Sequence, residues 1–367
     1  MVPAGDGLVP PSLDGPVQRE GEAGAGNQPG GVLPGETGEP GGLGDRQLDG
    51  GDAGFPPISS QKVASVRVFR PLAAMPWASG RRRGMPEGIA IRRPYPSDLS
   101  DVRWALVEPT LTAWRERERR AGPGIGRPPR HDLRSLLDAI LYVDRTGIPW
   151  RYLPHEYPPW ETVYSYFARW QKDGVFEQLS GLLRRLVRTA EGRDPEPTAC
   201  VVDSQSVKTA PTVPAATQGT DAAKKIVGRK RSIITDTLGL LLVVLVTAAS
   251  VQDGPAGLQL LTKVAAAHPT ISRAWADSAY RNAVIEHGAT LGIDVEVVRR
   301  DPATRGFAAL PRRWTVERTF GWLMLHRRLA RDYEALPARS EAMIHLAMID
   351  LMARRCTGES TPTWRGT

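Results

Sequence analysis

Ala199-Cys200-Val201-Val202-Asp203-Ser204-Gln205 reads as a short apolar strand, Ala199 to Asp203, that ends on a carboxylate. Two other stretches repeat its logic. Ala274 to Asp277, within Trp275-Ala276-Asp277-Ser278-Ala279-Tyr280, is another short strand with an acid at its end. Glu317 lies in a helical stretch, Arg312-Arg313-Trp314-Thr315-Val316-Glu317-Arg318. Carboxylates at strand ends stand at the sheet edge, where α/β folds gather ligands. Three of them can hold two hard divalent ions about 3.5–4 Å apart, with water and substrate phosphate completing the shells. Any one of these acids alone is more simply an N-cap, a surface acid or a salt-bridge partner. The trio gains weight from the helix around Glu317. At about 100° per residue, Arg313, Gly321, Met324, Arg328 and Arg331 share its face. That stripe makes a poor core. It suits a surface where a backbone phosphate sits beside a metal-bound Glu, with Gly321 leaving room; a solvated face with Arg–Glu pairs is the plain alternative.

Around these acids the pattern is α/β. Arg231 to Asp236 and Leu240 to Thr247 read as two strands about the turn Thr237-Leu238-Gly239. Leu258 to Ala266 is helical, Val295 to Arg299 another short strand, and Trp314 to Arg331 a long amphipathic helix followed by another over Ser340 to Arg355. Upstream the period is helical throughout. Ser100 is a candidate N-cap for a helix carrying Trp104, Val107 and Leu111. Leu133, Leu136, Leu137, Ile140 and Leu141 form an apolar stripe ended by Gly147. Trp160, Val163, Phe167 and Trp170 mark a third helix, and Leu179, Leu182, Leu183, Leu186 and Val187 a fourth. The expected organisation is a tail over residues 1–92, a small helical domain over 93–192, an α/β domain over 196–357 and a short tail over 358–367.

The charge is divided as unevenly as the periodicity. Residues 1–60 hold 16 of the 37 glycines, nine prolines, nine acids and two bases. With no apolar period, such a segment cannot offset its ordering entropy and is expected to be disordered. Met85, behind the cluster Arg81-Arg82-Arg83, is a candidate true start. The net charge of +8 therefore becomes +15 once the first 60 residues, at −7, are set aside. A folded part that basic suits a polyanion. Leu238 to Ala249, the most apolar run, is too short to span a bilayer. There is no secretory leader pattern at the N-terminus, and Cys200 and Cys356 are too few for a disulfide framework, so a cytoplasmic setting is expected. No His or Cys pair has zinc-ligand spacing.

Several stretches together resemble the DDE transposases of bacterial insertion sequences, of the insertion-sequence-five type. They are Tyr95-Pro96-Ser97-Asp98-Leu99, Ile140-Leu141-Tyr142 to Pro149-Trp150-Arg151, and Pro159-Trp160-Glu161-Thr162-Val163-Tyr164. Asp203-Ser204-Gln205-Ser206-Val207-Lys208, Gly228-Arg229-Lys230-Arg231 and Trp314 to Arg328 follow in order, so the likeness covers about residues 93–356. It implies an RNase H-like mixed sheet with flanking helices. Asp203, Asp277 and Glu317 would be the catalytic triad and would bind two Mg²⁺ or Mn²⁺ ions, with Asp203 bridging both. It also implies a helical region that recognises terminal inverted repeats, hydrolysis of double-stranded DNA with no covalent intermediate, joining of the 3′-hydroxyl to target DNA, and a homodimer or larger assembly on DNA at the bacterial nucleoid. The family's signature places Tyr seven residues before the Glu, Arg four before and Lys seven after. Arg313 fits, whereas Leu310 and Met324 replace the other two, leaving Arg327 or Arg328 to supply charge. Ser278-Ala279 stands where relatives often carry two glycines.

Other basic and aromatic groups divide between two readings. Arg229, Lys230 and Arg231 are either a phosphate contact or a solvated charge run. Lys208 could reach substrate phosphate or be a surface lysine. Trp314 and Trp322 could stack on an unpaired base or pack in the core. The loop Gly126-Arg127-Pro128-Pro129-Arg130 belongs to the expected repeat-binding region. Two rivals share much of this pattern: a host nuclease on the same fold, and a DNA-binding relic without activity.

Overall fold

A computed structural model describes residues 93–121, 131–298 and 312–362. The tail over 1–92, Met85, the Gly126 to Arg130 loop and Leu310 lie outside the described residues. Four helices come first: α1 (Asp101–Ala121), α2 (Leu133–Thr146), α3 (Trp160–Lys172) and α4 (Val175–Ala190). Asp132 caps α2 by accepting from the Ser135 N–H, and Gly147 ends it in the left-handed region at φ 76°. The sheet follows, with β1 (Ala199–Lys208), β2 (Gly219–Asp221), β3 (Ile226–Asp236) and β4 (Leu241–Ala248). Then come α5 (Asp253–Ala267), β5 (Arg273–Ala276), α6 (Ala283–Thr290), β6 (Asp294–Val297), α7 (Trp314–Leu323) and α8 (Pro337–Thr357).

Strand β3 pairs antiparallel with β1 on one side and with β4 on the other, while β2 extends its first residues. Strand β1 continues parallel to β5, and β5 parallel to β6. This is the expected RNase H-like mixed sheet. Asp236 shapes the β3–β4 hairpin, its Oδ1 accepting from the N–H groups of Leu238 and Leu240, both at 2.9 Å. Strand alternation sends Val201 and Ile233 to one face and Cys200, Val202 and Ile234 to the other. The first face shares a buried apolar cluster with α1–α4, α7 and α8; the second packs on α5 and α6.

Helix α8 is buried nearly all round from Ala342 to Arg354, as its apolar run demands. The polar groups it carries inward are partnered or neutral. Asp350 takes Arg103 at 3.1 Å and Arg354 at 3.0 Å. His345 is enclosed, and burial, followed by the Lys263 and Arg184 charges, pulls its pKa down to about 4. Glu177 and Glu341 line the same cavity as His268, and burial raises both carboxyls. The unfolded chain protonates His345 near its ordinary value and the folded chain only near 4. Its contribution to stability is therefore complete above pH 6.5 and is lost as the pH falls towards 4, at up to about 1.4 kcal/mol per pH unit. His345→Gln is expected to flatten the difference in unfolding free energy between those pH values. An unchanged slope in denaturant titrations would assign the acid sensitivity to another group.

One expected element is shorter than its sequence pattern. The helix read over Trp314 to Arg331 stops at Leu323. His326 turns extended and its Nδ1 meets Asp144 Oδ2 of α2 at 2.5 Å, both side chains buried. A short 3₁₀ turn, Arg327–Leu329, then lies against the end of α2, where a Cβ on Gly147 would come within 3.1 Å of the Arg327 backbone. A buried carboxylate left without a hydrogen-bond partner is costly, and the turn after Leu323 lets His326 reach Asp144.

Candidate active site

The parallel register sets Val201 level with Trp275. Two residues further on, Asp203 and Asp277 therefore come side by side with the same facing. Asp203 does not end its strand, since β1 runs on to Lys208; it sits where β1 leaves its β5 neighbour behind. Asp277 directly follows β5, and its Oδ1 accepts from the Ala279 N–H at 2.8 Å. Glu317 lies in the first turn of α7. The start of that helix is tied to the sheet by Arg312, whose guanidinium binds Glu296 of β6 at 2.9 Å and covers Trp275 of β5. Arg312 takes φ 73° to do so, an unusual conformation for a residue with a side chain.

The three acids meet at one atom. A single Arg313 guanidinium nitrogen stands 3.5 Å from Asp203 Oδ2, 3.8 Å from Asp277 Oδ2 and 3.9 Å from Glu317 Oε1. Side-chain exposure rises from 13% at Asp203 through 30% at Asp277 to 38% at Glu317, so the group opens to solvent on the Glu317 side. Burial pushes the Asp203 carboxyl up to about 6. The Ser204 N–H and Arg313 work against that rise, and Asp277 and Glu317 add to it. Like charges this crowded call for a cation. The donor set is all carboxylate oxygen, which fits a hard divalent ion. Among the described residues no three His, Cys, Asp or Glu side chains are close enough to hold one ion together as they stand. The Arg313 nitrogen, standing among all three, takes the place of a positive charge.

The remaining expected contacts divide sharply. Arg229, Lys230 and Arg231 do not form a phosphate-binding surface, and alternation along β3 is the reason. Arg229 and Arg231 point to the α8 side. Arg229 is fully buried, bonded to Asp332, Ser340 and the carbonyls of Glu334 and Ala335. Arg231 donates to the Leu329 carbonyl at 2.6 Å, and burial lowers its pKa to about 10. Lys230 points to the α5 side and pairs with Asp253 at 3.0 Å. Gly228, beside them, meets β1 so closely that a Cβ would fall 2.0 Å from the Val207 carbonyl oxygen.

Arg328 is corrected too. Because α7 ends early it no longer follows the Glu317 face; it is buried, with Nη2 at 2.7 Å from Glu334 and Nη1 donating to the Ile148 carbonyl. Lys208 is exposed at the far end of β1, roughly 16 Å of strand beyond Asp203. Trp322 is buried beneath Arg318 and Arg355, whereas Trp314 is 46% exposed next to Arg313. Gly321 faces open space one turn beyond Glu317. The sequence reading missed Asp253 and Tyr280; their signals were an acid opening a helix straight after a strand, and an aromatic three residues past Asp277.

Residues 99–180 match the family "Putative transposase of IS4/5 family", and residues 194–351 match "Transposase DDE domain". A protein of insertion element IS402 from Burkholderia cepacia, described as an uncharacterized 16.2 kDa protein, is 36% identical over 112 residues, covering 30% of this chain and 72% of that protein. The chain belongs to the IS4/5-type DDE transposases. No solved structure matches it. DDE transposase domains generally use divalent metal ions, and DNA is the substrate of the family. Among the transposase's described residues, no helix is long and apolar enough to cross a membrane.

Proposed function

We propose that this transposase binds the terminal inverted repeats of its element, hydrolyses the DNA backbone there and joins the freed 3′-hydroxyl ends to target DNA. The observation that carries this reading is the convergence of Asp203, Asp277 and Glu317 on one Arg313 nitrogen. In this reading Asp203, the most enclosed of the three, would hold Mg²⁺ or Mn²⁺ together with Asp277 and Glu317. Bound ions of this kind would activate the attacking oxygen and stabilise the leaving one. The chain's own groups do the rest. The Ser204 and Ala279 N–H groups orient the two strand carboxylates. Arg313 balances the charge of the triad as it stands, and its guanidinium would bind a DNA phosphate in a fork. Gly321 leaves the approach open. Residues 93–192 would read the repeats and 196–357 would carry the chemistry, as a dimer or larger assembly on DNA in the bacterial cytoplasm and nucleoid.

A duplex carrying the element's ends, incubated with the purified chain, Mg²⁺ or Mn²⁺ and a supercoiled target, tests this directly. The expected products are nicks leaving 3′-hydroxyls, followed by joined molecules. Cutting without joining would replace the proposal with a nuclease, and binding without cutting would replace it with a relic.

A further inference from the structure

The triad occupies one face of the sheet, and the opposite face behind it is also built from polar groups. Ser204 follows Asp203 on β1 and so points the other way, towards α5. Its hydroxyl donates to Asp253 Oδ1 at 2.8 Å, and the buried Lys230 ammonium stands 3.0 Å from the same oxygen. Its N–H donates to Asp203 Oδ1 at 2.7 Å. Asp253 opens α5, and one turn later Gly257 of that helix lies under the Tyr280 ring, where a Cβ would come within 2.7 Å of Tyr280 Cδ1. The Tyr280 N–H closes the turn after β5 by donating to the Asp277 carbonyl at 3.1 Å. One helix thus braces, from behind, the segments that carry both strand carboxylates.

We propose that Asp253 is a positioning residue: held by Lys230, it fixes Ser204, and the Ser204 N–H fixes the rotamer in which Asp203 faces the cation site. This rests on the reading of Asp203 as a metal ligand. Hydrogen bonds to a ligating carboxylate tune metal affinity, typically by 10–100-fold when removed. The Asp253 oxygen that accepts from Ser204 is also held by Lys230, which fixes it in place.

The test is Mn²⁺ binding by the full chain, followed through the electron paramagnetic resonance signal of free Mn²⁺, with thermal unfolding in parallel. Ser204→Ala and Asp253→Asn are expected to weaken Mn²⁺ binding about tenfold. Ser204→Thr, which keeps the hydroxyl and suits a strand, is expected to restore it. Asp253→Asn leaves Lys230 buried without its counter-charge and could unfold the chain. The Ser204→Ala and Ser204→Thr pair, which leaves that ion pair intact, then decides. Asp203→Asn is the control for the underlying reading. If it binds Mn²⁺ like the wild type, Asp203 is not a ligand. If it is defective while Ser204→Ala binds normally, Asp203 is a ligand and the relay is wrong.

Discussion

Asp203→Asn, Asp277→Asn and Glu317→Gln are each expected to abolish DNA cleavage while leaving affinity for the element's ends nearly unchanged. A catalytic divalent ion supplies several kcal/mol of charge stabilisation, on the order of a thousandfold in rate or more. DNA affinity instead comes from basic groups that neutralise many phosphates, and none of these three residues is among them. The substitutions also carry a signature that a structural acid would not give. Each triad residue is crowded by two like charges with a single guanidinium among them. Removing one charge relieves repulsion and, at the enclosed Asp203, desolvation. Melting temperature in EDTA should therefore rise as cleavage is lost, the trade-off expected of groups placed for function rather than stability. Cleavage near the wild-type rate in any one variant would remove that residue from the triad. A marked fall in melting temperature would recast it as part of the fold.

The parts of this architecture set by local period could be read from residues alone. The stripe from Leu133 to Leu141 and its Gly147 stop became α2, and the run around Thr237-Leu238-Gly239 became the β3–β4 hairpin. Asp203 and Asp277 could be singled out because each closes a short apolar run, although Asp203 lies within β1 and only Asp277 follows the end of its strand. The end of α7 could not be read this way, because it depends on Asp144, 182 positions away, drawing His326 out of the helix. The Asp253 contact to Ser204, across 49 positions, is also non-local. The fate of Arg229-Lys230-Arg231 was partly legible. A period of two within a strand must divide a basic triplet between two faces, and the longer β3, beginning at Ile226, brings the whole triplet inside that rule.

That division sets up the other large effect. Arg229→Ala is expected to cost the fold about 3–5 kcal/mol, the usual penalty for breaking a buried ion pair from one side. Arg229 sits at 0% exposure, and its Nη1 reaches Asp332 at 3.2 Å, Ser340 Oγ at 3.0 Å and the Glu334 carbonyl at 2.7 Å. Its Nε and Nη2 hold the Thr217 carbonyl and hydroxyl. Truncation leaves Asp332, itself 2% exposed, without its Arg229 partner, and strips the buried Glu334 carbonyl and the partly buried Thr217 and Ala335 carbonyls of this donor. Native domains are stable by only about 5–15 kcal/mol in total, so the soluble folded yield should fall sharply. Arg229→Lys should rescue little, because an ammonium cannot reproduce a planar fork spread over so many acceptors. A phosphate-contacting arginine would behave in the opposite way: urea unfolding would not change, and the salt dependence of DNA binding would lose roughly one counterion. Measuring both on the same preparation separates the two roles. Unaltered unfolding with a flattened salt slope would return Arg229 to the DNA interface and contradict the enclosure described for it.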